Sequence, residues 1–385
     1  MMNNRIGRYI TQTSPGETYK AYIPASLPPV PSINLEELYP LLEKATRAIG
    51  ELNSLAKILP NADLFIYMYV RKESLLSSQI EGTQSSFSDL VLFENHQRPQ
   101  VSLEDVEEVS NYVQAIKHGL KRMKEGFPLS LRLLCETHKI LLQGGRGASK
   151  LPGEFRRSQN WIGGTRPGNA LFVPPPPEHL MEALGNLEYF FHQADSLPIL
   201  IKAGIAHVQF ETIHPFLDGN GRLGRLLIIL MLCNGDMLEE PILYISLYLK
   251  ENRALYYQLL QEVRIHGTWE VWLEFFLEGI YKTAASAAQT MQRLNDLFMK
   301  DANKLETLGR ARLSCQAALD HLKKLPQVDA NSLAASLGVS PPTARSALNH
   351  LIDLGIVEEI SRLQRDKVYV YRAYLDILEE GAEPL

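Results

Sequence analysis

Apolar residues spaced three and four apart recur along most of this chain, and that period commits it to helices. The run LEELYPLLEKATRAIGELNSLAKIL, from Leu35, is the clearest case, and LFIYMYVRKESLLSSQIEG follows it and closes at Gly82, where glycine commonly ends a helix. Helical blocks are expected again from about Leu103 to Lys124 and from Leu129 to Leu142, with Ser102 and Ser130 as capping residues. Between Gly144 and Pro177 the texture changes to Gly, Pro and Arg around two β-prone pieces, NWIGG and ALFVPPPP, which read as a hairpin or flap. Helical spacing then resumes through HLMEALGNLEYFFHQ, PILIKAGIAHVQFETI, the run after Gly219, and the long stretch from Arg253 to Phe298. The expected fold class is mainly α, a helical core carrying a small β-hairpin flap. The segment before Ser32 is rich in Pro, Ser and Tyr and reads as an extended arm lying on the surface.

At 385 residues the chain exceeds the size at which one core usually stops growing. Three parts are expected: an N-terminal helical region over 1–110, a core over 111–295, and a separate tail over 305–385. The tail runs helix (LSCQAALDHLKKL), helix (NSLAASLG), a Val-Ser-Pro-Pro turn, helix (TARSALNHLIDLG) and a β-like end, IVEEISRLQRDKVYVYR. That is a winged-helix order, with the glycine of SLGVS turning the chain between two helices.

A net charge of −5 argues against the whole chain being a non-specific nucleic-acid binder, because such binding neutralises phosphates with Lys and Arg. Acidic residues also slightly outnumber basic ones after Leu305, and TARSALNHL offers Arg345 as its single cation, so DNA binding by the tail is not favoured. Cys135, Cys233 and Cys315 lie far apart within apolar patterns and read as buried thiols of a reducing compartment. No secretory signal opens the chain, and no apolar run approaches the roughly 20 residues of a membrane helix, so a cytoplasmic location is expected.

The densest chemistry lies in HVQFETIHPFLDGNGRLGR, from His207 to Arg225. Gly219 and Gly221 bracket Asn220 ahead of an apolar helix, so the backbone is free to take positive φ and turn successive amides into one concavity. The helix N-terminus adds partial positive charge there, which favours a phosphate. Arg222 and Arg225, three residues apart, share a helical face and present forked donors to the same anion. Asp218 beside bare phosphates would be repelled, but it is suited to a divalent cation such as Mg²⁺ held between carboxylate and phosphates. His214 ends the preceding helix, and its imidazole is suited to taking a proton from a hydroxyl near neutral pH. His207 and Glu211, at helical spacing from His214, read as structural partners and not as a zinc site.

These residues, HPFLDGNGR followed by Arg225, resemble the Fic family motif HPFx(D/E)GNGRxxR at every fixed position, and the resemblance extends from about Asn34 to Lys282. It implies adenylyl transfer from ATP to Ser, Thr or Tyr of a protein. His214 would then be the base, Asp218 the Mg²⁺ ligand, and Asn220 with the amides around Gly219 and Gly221 the α- and β-phosphate cradle. Arg222 would hold the β-phosphate and Arg225 the γ-phosphate. Ser77, Glu81 and Gly82 in SSQIEG resemble the family's inhibitory motif (S/T)xxxE(G/N), which implies that Glu81 pairs with Arg225 and bars productive ATP binding. The stretch 161–173 resembles the flap over the Fic site, which implies a target protein, or a second copy of the chain, bound by strand addition. Tyr256 and Tyr257 match a tyrosine pair lining the adenine pocket, and a homodimer is implied by relatives. Alternatives are a nucleotide-sensing transcription regulator acting through the tail, removal of AMP by the same site, or transfer of UMP, phosphocholine or phosphate. Asp218, Gly219 and Arg225 favour a nucleoside triphosphate over phosphocholine.

Overall fold

The structure, a computed structural model, describes residues 5–14, 16–58, 62–94, 101–145, 147–194, 197–360 and 367–384. The first segment is not an extended arm. It folds into an antiparallel hairpin of β1 (Arg8–Ser14) and β2 (Glu17–Ile23), with Arg8 opposite Ile23 and Ser14 opposite Glu17. A lone hairpin is marginal in water, and this one gains a second layer: Tyr22 packs on Tyr9 and on Phe172, and its amide donates to Val173 O at 2.9 Å.

Helices α1 (Leu35–Ile58), α2 (Ala62–Ile80), α4 (Leu103–Lys124) and α5 (Leu131–Leu141) follow the expected spans, and α3 (Phe87–Glu94), not read from the sequence as a separate helix, lies between α2 and α4. Ser130 caps α5 by accepting from Leu133 N, whereas Ser102 precedes α4 without a side-chain capping bond. The proposed boundary near residue 110 falls inside α4, whose buried Val106, Val109 and Tyr112 join the same core as α1 and α2.

Beyond the flap come α6 (Pro177–His192), α7 (Ile199–Ile213), α8 (Asn220–Asn234), α9 (Ser246–Glu251), α10 (Arg253–His266) and α11 (Trp269–Lys304). Every residue of α7 from Leu200 to Ile213 is buried, and so is nearly all of α8. Helices apolar on all sides belong in a core, and these two pack against each other as the central pair, while α11 lies along both α1 and α7. The turn between α7 and α8 therefore opens at one end of a rigid pair.

The tail continues with α12 (Arg312–Lys324), β3 (Gln327–Asp329), α13 (Ala330–Leu337), α14 (Pro341–Asp353), β4 (Glu358–Glu359), β5 (Val368–Val370) and α15 (Arg372–Glu379). The strands form an antiparallel sheet in the order β3-β5-β4, and Gly338 takes φ +65° between α13 and α14. Residues 361–366 of the β-like end lie outside the described residues. β3 and α15 were not read from the sequence. The core is continuous from Ile33 to Ala382, so the tail shares it with the helical bundle.

The thiols are less sheltered than expected: Cys315 is buried, but Cys135 and Cys233 are only partly so, and all three are free. No helix among the described residues is long and apolar enough to cross a membrane.

Candidate active site

The α7–α8 turn is held in an unusual backbone state. His214 caps α7 in the left-handed region, at φ 49° and ψ 61°, which disfavours a residue with a Cβ. Something must hold it there, and the main agent is Arg156. Its Nε donates to His214 O at 2.9 Å, and its terminal nitrogens reach Pro175 O at 2.5 Å, Ile213 O at 3.3 Å and Ser158 O at 3.2 Å. Asn160 Nδ2 adds bonds to His214 O at 3.1 Å and Phe216 O at 2.9 Å. His138 supports the next residues: its ring stacks on Phe216 at 3.7 Å between centroids, and its Nε2 donates to Asp218 O at 2.9 Å. Burial holds His138 near pKa 4, so it is a neutral strut.

The start of α8, the expected anion cradle, differs from the sequence reading at two points. Gly219 takes the left-handed φ of 74°, whereas Gly221 lies in ordinary helical backbone. Gly221 has no side chain for a steric reason, since a Cβ there would collide with Glu81 Oε1 and come within 3.1 Å of Arg225 NH1. The side chain of Asn220, a residue expected to hold phosphate, bonds within the turn itself: its Oδ1 accepts from Phe216 N and its Nδ2 donates to Phe216 O, both at 2.9 Å. What Asn220 offers an anion is its backbone amide. The first helical bond runs from Leu223 N to Gly219 O, so the amides of Asn220, Gly221 and Arg222 precede it.

Both arginines are buried and both meet carboxylates, in different ways. Arg225 donates from Nε to Ser77 Oγ and from NH2 to Ser77 O, each at 2.8 Å, and from NH2 to Glu81 Oε1 at 2.7 Å. The side-on fork of Nε and NH2 is thus fully occupied by α2, and NH1 is left buried without a partner. Arg222 donates from NH1 to Glu108 Oε2 of α4 at 2.9 Å and keeps an unpaired Nε. Glu81 sits just past the end of α2, beside Gly82 at φ 103°, with its side chain 37% exposed. Burial pushes its carboxyl up, but the Arg225 guanidinium more than reverses this, so it stays ionised below the usual glutamate value.

His214 has a buried Nδ1 without a partner. Burial, reinforced by Arg264 and Arg156, lowers its pKa to about 3, so the ring is held in its neutral form. Glu211 lies beside it with an unpaired Oε1, and burial raises its carboxyl to about 7. Arg264 bonds Thr212 Oγ1 at 3.1 Å and Glu211 O at 3.2 Å. His207 lies behind the site: Nδ1 donates to Gly224 O at 3.0 Å, and Nε2 accepts from Tyr256 OH at 2.9 Å. Its pKa, lowered by burial to about 3, marks it as structural.

A cavity of about 670 Å³ spans these groups, a size suited to a small organic ligand. It is lined by Glu81, His214, Gly221 and Arg225 together with Tyr256, Tyr257, Leu260 and Gln261. Tyr256 is fully buried and Tyr257 is 41% exposed. The flap forms one wall through Trp161, Ile162, Leu171 and Phe172, and its strands meet in a single bridge, Ile162 to Phe172. The flap tip is pinned by Glu17 of β2, which accepts from Arg166 NH1 at 2.6 Å and from Gly168 N at 3.1 Å. Asp218 Oδ1 accepts from Gly219 N at 2.6 Å, and its side chain remains 41% exposed. Among the described residues no group of three His, Cys, Asp or Glu could bind a metal by itself. A lone carboxylate beside a phosphate cradle fits Mg²⁺, which is commonly held by one or two carboxylates plus substrate phosphates.

The structure thus gathers His214, Asp218, Gly219, Asn220, Gly221, Arg222, Arg225, Ser77, Glu81, Gly82, Tyr256 and Tyr257 into one region. Arg156, Glu108, His138 and Arg264 escaped the sequence reading, since none lies within a recognisable spacing. Asn160 fell inside the NWIGG stretch but carried no signal of its own.

Comparison with known proteins agrees with this geometry. Residues 39–121 match the model described as Fic/DOC family N-terminal, and residues 128–232 match that described as Fic/DOC family. The chain is 30% identical over 162 residues to the protein adenylyltransferase Fic of Drosophila grimshawi, covering 42% of this chain and 30% of that protein. It is 29% identical over 226 residues to the protein of the same name from Drosophila persimilis, covering 56% of this chain and 41% of the relative. It thus spans less than half the length of either. A crystal structure of a Fic family protein from Desulfovibrio desulfuricans superposes with a TM-score of 0.57 at 21% identity, covering 87% of this chain and 95% of that one, and shares the fold.

Proposed function

The chain belongs to the Fic/DOC family, and from that premise we propose that it transfers AMP from ATP to a hydroxyl of a protein and is held in check by Glu81. The observation that carries this reading is the occupied fork of Arg225, bonded by both Ser77 and Glu81 at the mouth of a phosphate cradle. A γ-phosphate needs that fork, so ATP would settle in an unproductive pose while Glu81 is docked.

With Glu81 displaced, the amides of Asn220, Gly221 and Arg222 would receive the phosphates, and the adenosine would lie toward Tyr256 and Tyr257 beneath the flap. His214, neutral and buried, would take the proton of the attacking Ser, Thr or Tyr hydroxyl. The oxygen then bonds to the α-phosphorus as the bond to pyrophosphate breaks. Mg²⁺ held by Asp218 would neutralise charge on the phosphates. The chain's own part is positioning and a preformed field of donors, which account for most of such catalysis. The flap edge at Trp161 to Gly163 offers backbone groups to an extended target segment, which would include a segment of a second copy.

The test is incubation with Mg²⁺ and labelled ATP, followed by mass spectrometry of the labelled protein. Wild type should be nearly silent and Glu81→Gly should label strongly. Adding His214→Ala should remove the signal by about a hundredfold or more, as expected for loss of a general base. No label on any protein from Glu81→Gly would reject the reading.

A further inference from the structure

Two carboxylates meet the two arginines of α8, Glu81 half-exposed and Glu108 buried, and their geometries assign them opposite roles. Glu81 bonds the side-on fork of Arg225, the Nε and NH2 edge, together with Ser77. Glu108 bonds the opposite corner of Arg222, NH1 alone, at 2.9 Å. The Nε and NH2 edge of Arg222 has no hydrogen-bond partner among the described residues: Nε is buried without one, and NH2 makes only a 3.8 Å ion pair with Asp218 Oδ1. A guanidinium clasps phosphate best through two parallel donors, and here one donor corner is anchored while the clasping edge keeps its hydrogen-bonding capacity unspent.

Mobility separates the two carboxylates further. Glu81 is past the last residue of α2 and 37% exposed, so it can leave. Glu108 lies within α4, 9% exposed, and the loop at Gly145 closes over it, with the Cβ position of Gly145 at 3.7 Å from Glu108 Cγ. Arg222 itself is only 5% exposed, so its orientation is set by its partners. Without an anchor, its long side chain would lose rotamer freedom each time it engaged an anion.

We propose that Glu108 is a positioning residue for the phosphate beyond the α-phosphate: it holds Arg222 by NH1 so that the Nε and NH2 edge is preset for the β-phosphate of a nucleotide. Glu108 is therefore not a second brake, and its removal weakens the site instead of releasing it. The inference rests on the nucleotide reading of the cradle given above.

The test compares Mg²⁺-ADP with AMP, measured by calorimetry in the Glu81→Gly background, since the two ligands differ in the phosphate that Arg222 would hold. Glu108→Gln should weaken ADP about tenfold or more, the worth of one charge-assisted contact, while AMP changes less than about threefold. In labelling assays the same variant should raise KM for ATP more than it lowers kcat. If Glu108→Gln does not fold, Glu108→Asp, which keeps the charge with a shorter reach, should show an intermediate loss for ADP alone. Equal loss of ADP and AMP, unchanged ADP binding, or increased labelling would overturn the proposal. Failure of the Glu81→Gly parent to bind either nucleotide would instead reject the nucleotide reading, and this inference with it.

Discussion

His214 shows how far a single residue's environment can depart from its ordinary chemistry. Its imidazole is pushed to about pKa 3 by burial, with Arg264 and Arg156 adding to the effect. A base works in its neutral form, so under the proposed role His214 would stay competent as pH falls from 8 to 5, and protonation would silence it only near pH 3. The value of kcat/KM for Glu81→Gly, which reports the unliganded enzyme, should therefore show no loss centred on pH 6.5. A decline with that midpoint would mean that the ring is solvated. The sign for stability runs the other way. In the unfolded chain these rings titrate near 6.5, while His138, His207 and His214 remain neutral in the fold. Acid below about pH 6.5 thus protonates the unfolded state preferentially, and thermal melts should show stability falling as pH drops from 6.5 toward 4.

At the level of elements, the catalytic turn depends on a segment distant in sequence. Arg156 precedes the flap, yet it ties the end of α7 to Pro175 and so fixes flap and base relative to each other. Arg156→Lys keeps the charge but loses the fork, leaving buried carbonyls unpaired at about 1–3 kcal/mol each. The variant should melt at least about 2 kcal/mol less stably, and in the Glu81→Gly background its labelling rate should fall while ATP affinity changes little. Unchanged labelling would show that His214 keeps its left-handed backbone without this clamp. α2 is likewise held at a distance from its functional end. Glu73 accepts from Ser246 N at 3.0 Å and from Ser246 Oγ at 2.6 Å, and burial raises its carboxyl to about 7. Glu73 and Ser77 of α2 and Glu81 just past its end form a row with helical spacing, anchored at Ser246 and paired with Arg225.

Across the whole molecule, the tail is bound to the back of α2. Gln79, fully buried, donates to both Ser85 O at 2.9 Å and Ala382 O at 2.8 Å, and Lys72 donates to Glu380 O at 2.9 Å. Arg293 adds a paired contact to Glu380, exposed enough that its contribution should be at most about 1 kcal/mol. With one core running from Ile33 to Ala382, heat should unfold the chain in a single calorimetric transition. Gln79→Ala should lower it by about 1–3 kcal/mol, while Arg293→Ala should leave it nearly unmoved. Two resolved transitions would show that the tail folds apart from the helical bundle.

Local chemistry in the sequence was enough to propose the site. The period of the helices, the turn glycine at Gly219 and the company of His214, Asp218, Arg222 and Arg225 are all short-range features, and a cradle at a helix start needs nothing remote. Sequence spacing also made Glu81 a candidate, but only through resemblance, because a glutamate at a helix end has no intrinsic preference for an arginine 144 residues away. Tertiary structure alone decided how that arginine is held, why Gly221 must lack a side chain, and why the side chain of Asn220 serves the turn and not the anion. It also supplied Arg156 and Glu108, whose roles arise from burial. Polar groups removed from water must find partners, and which partners they find depends on the packing of whole helices and not on any local pattern.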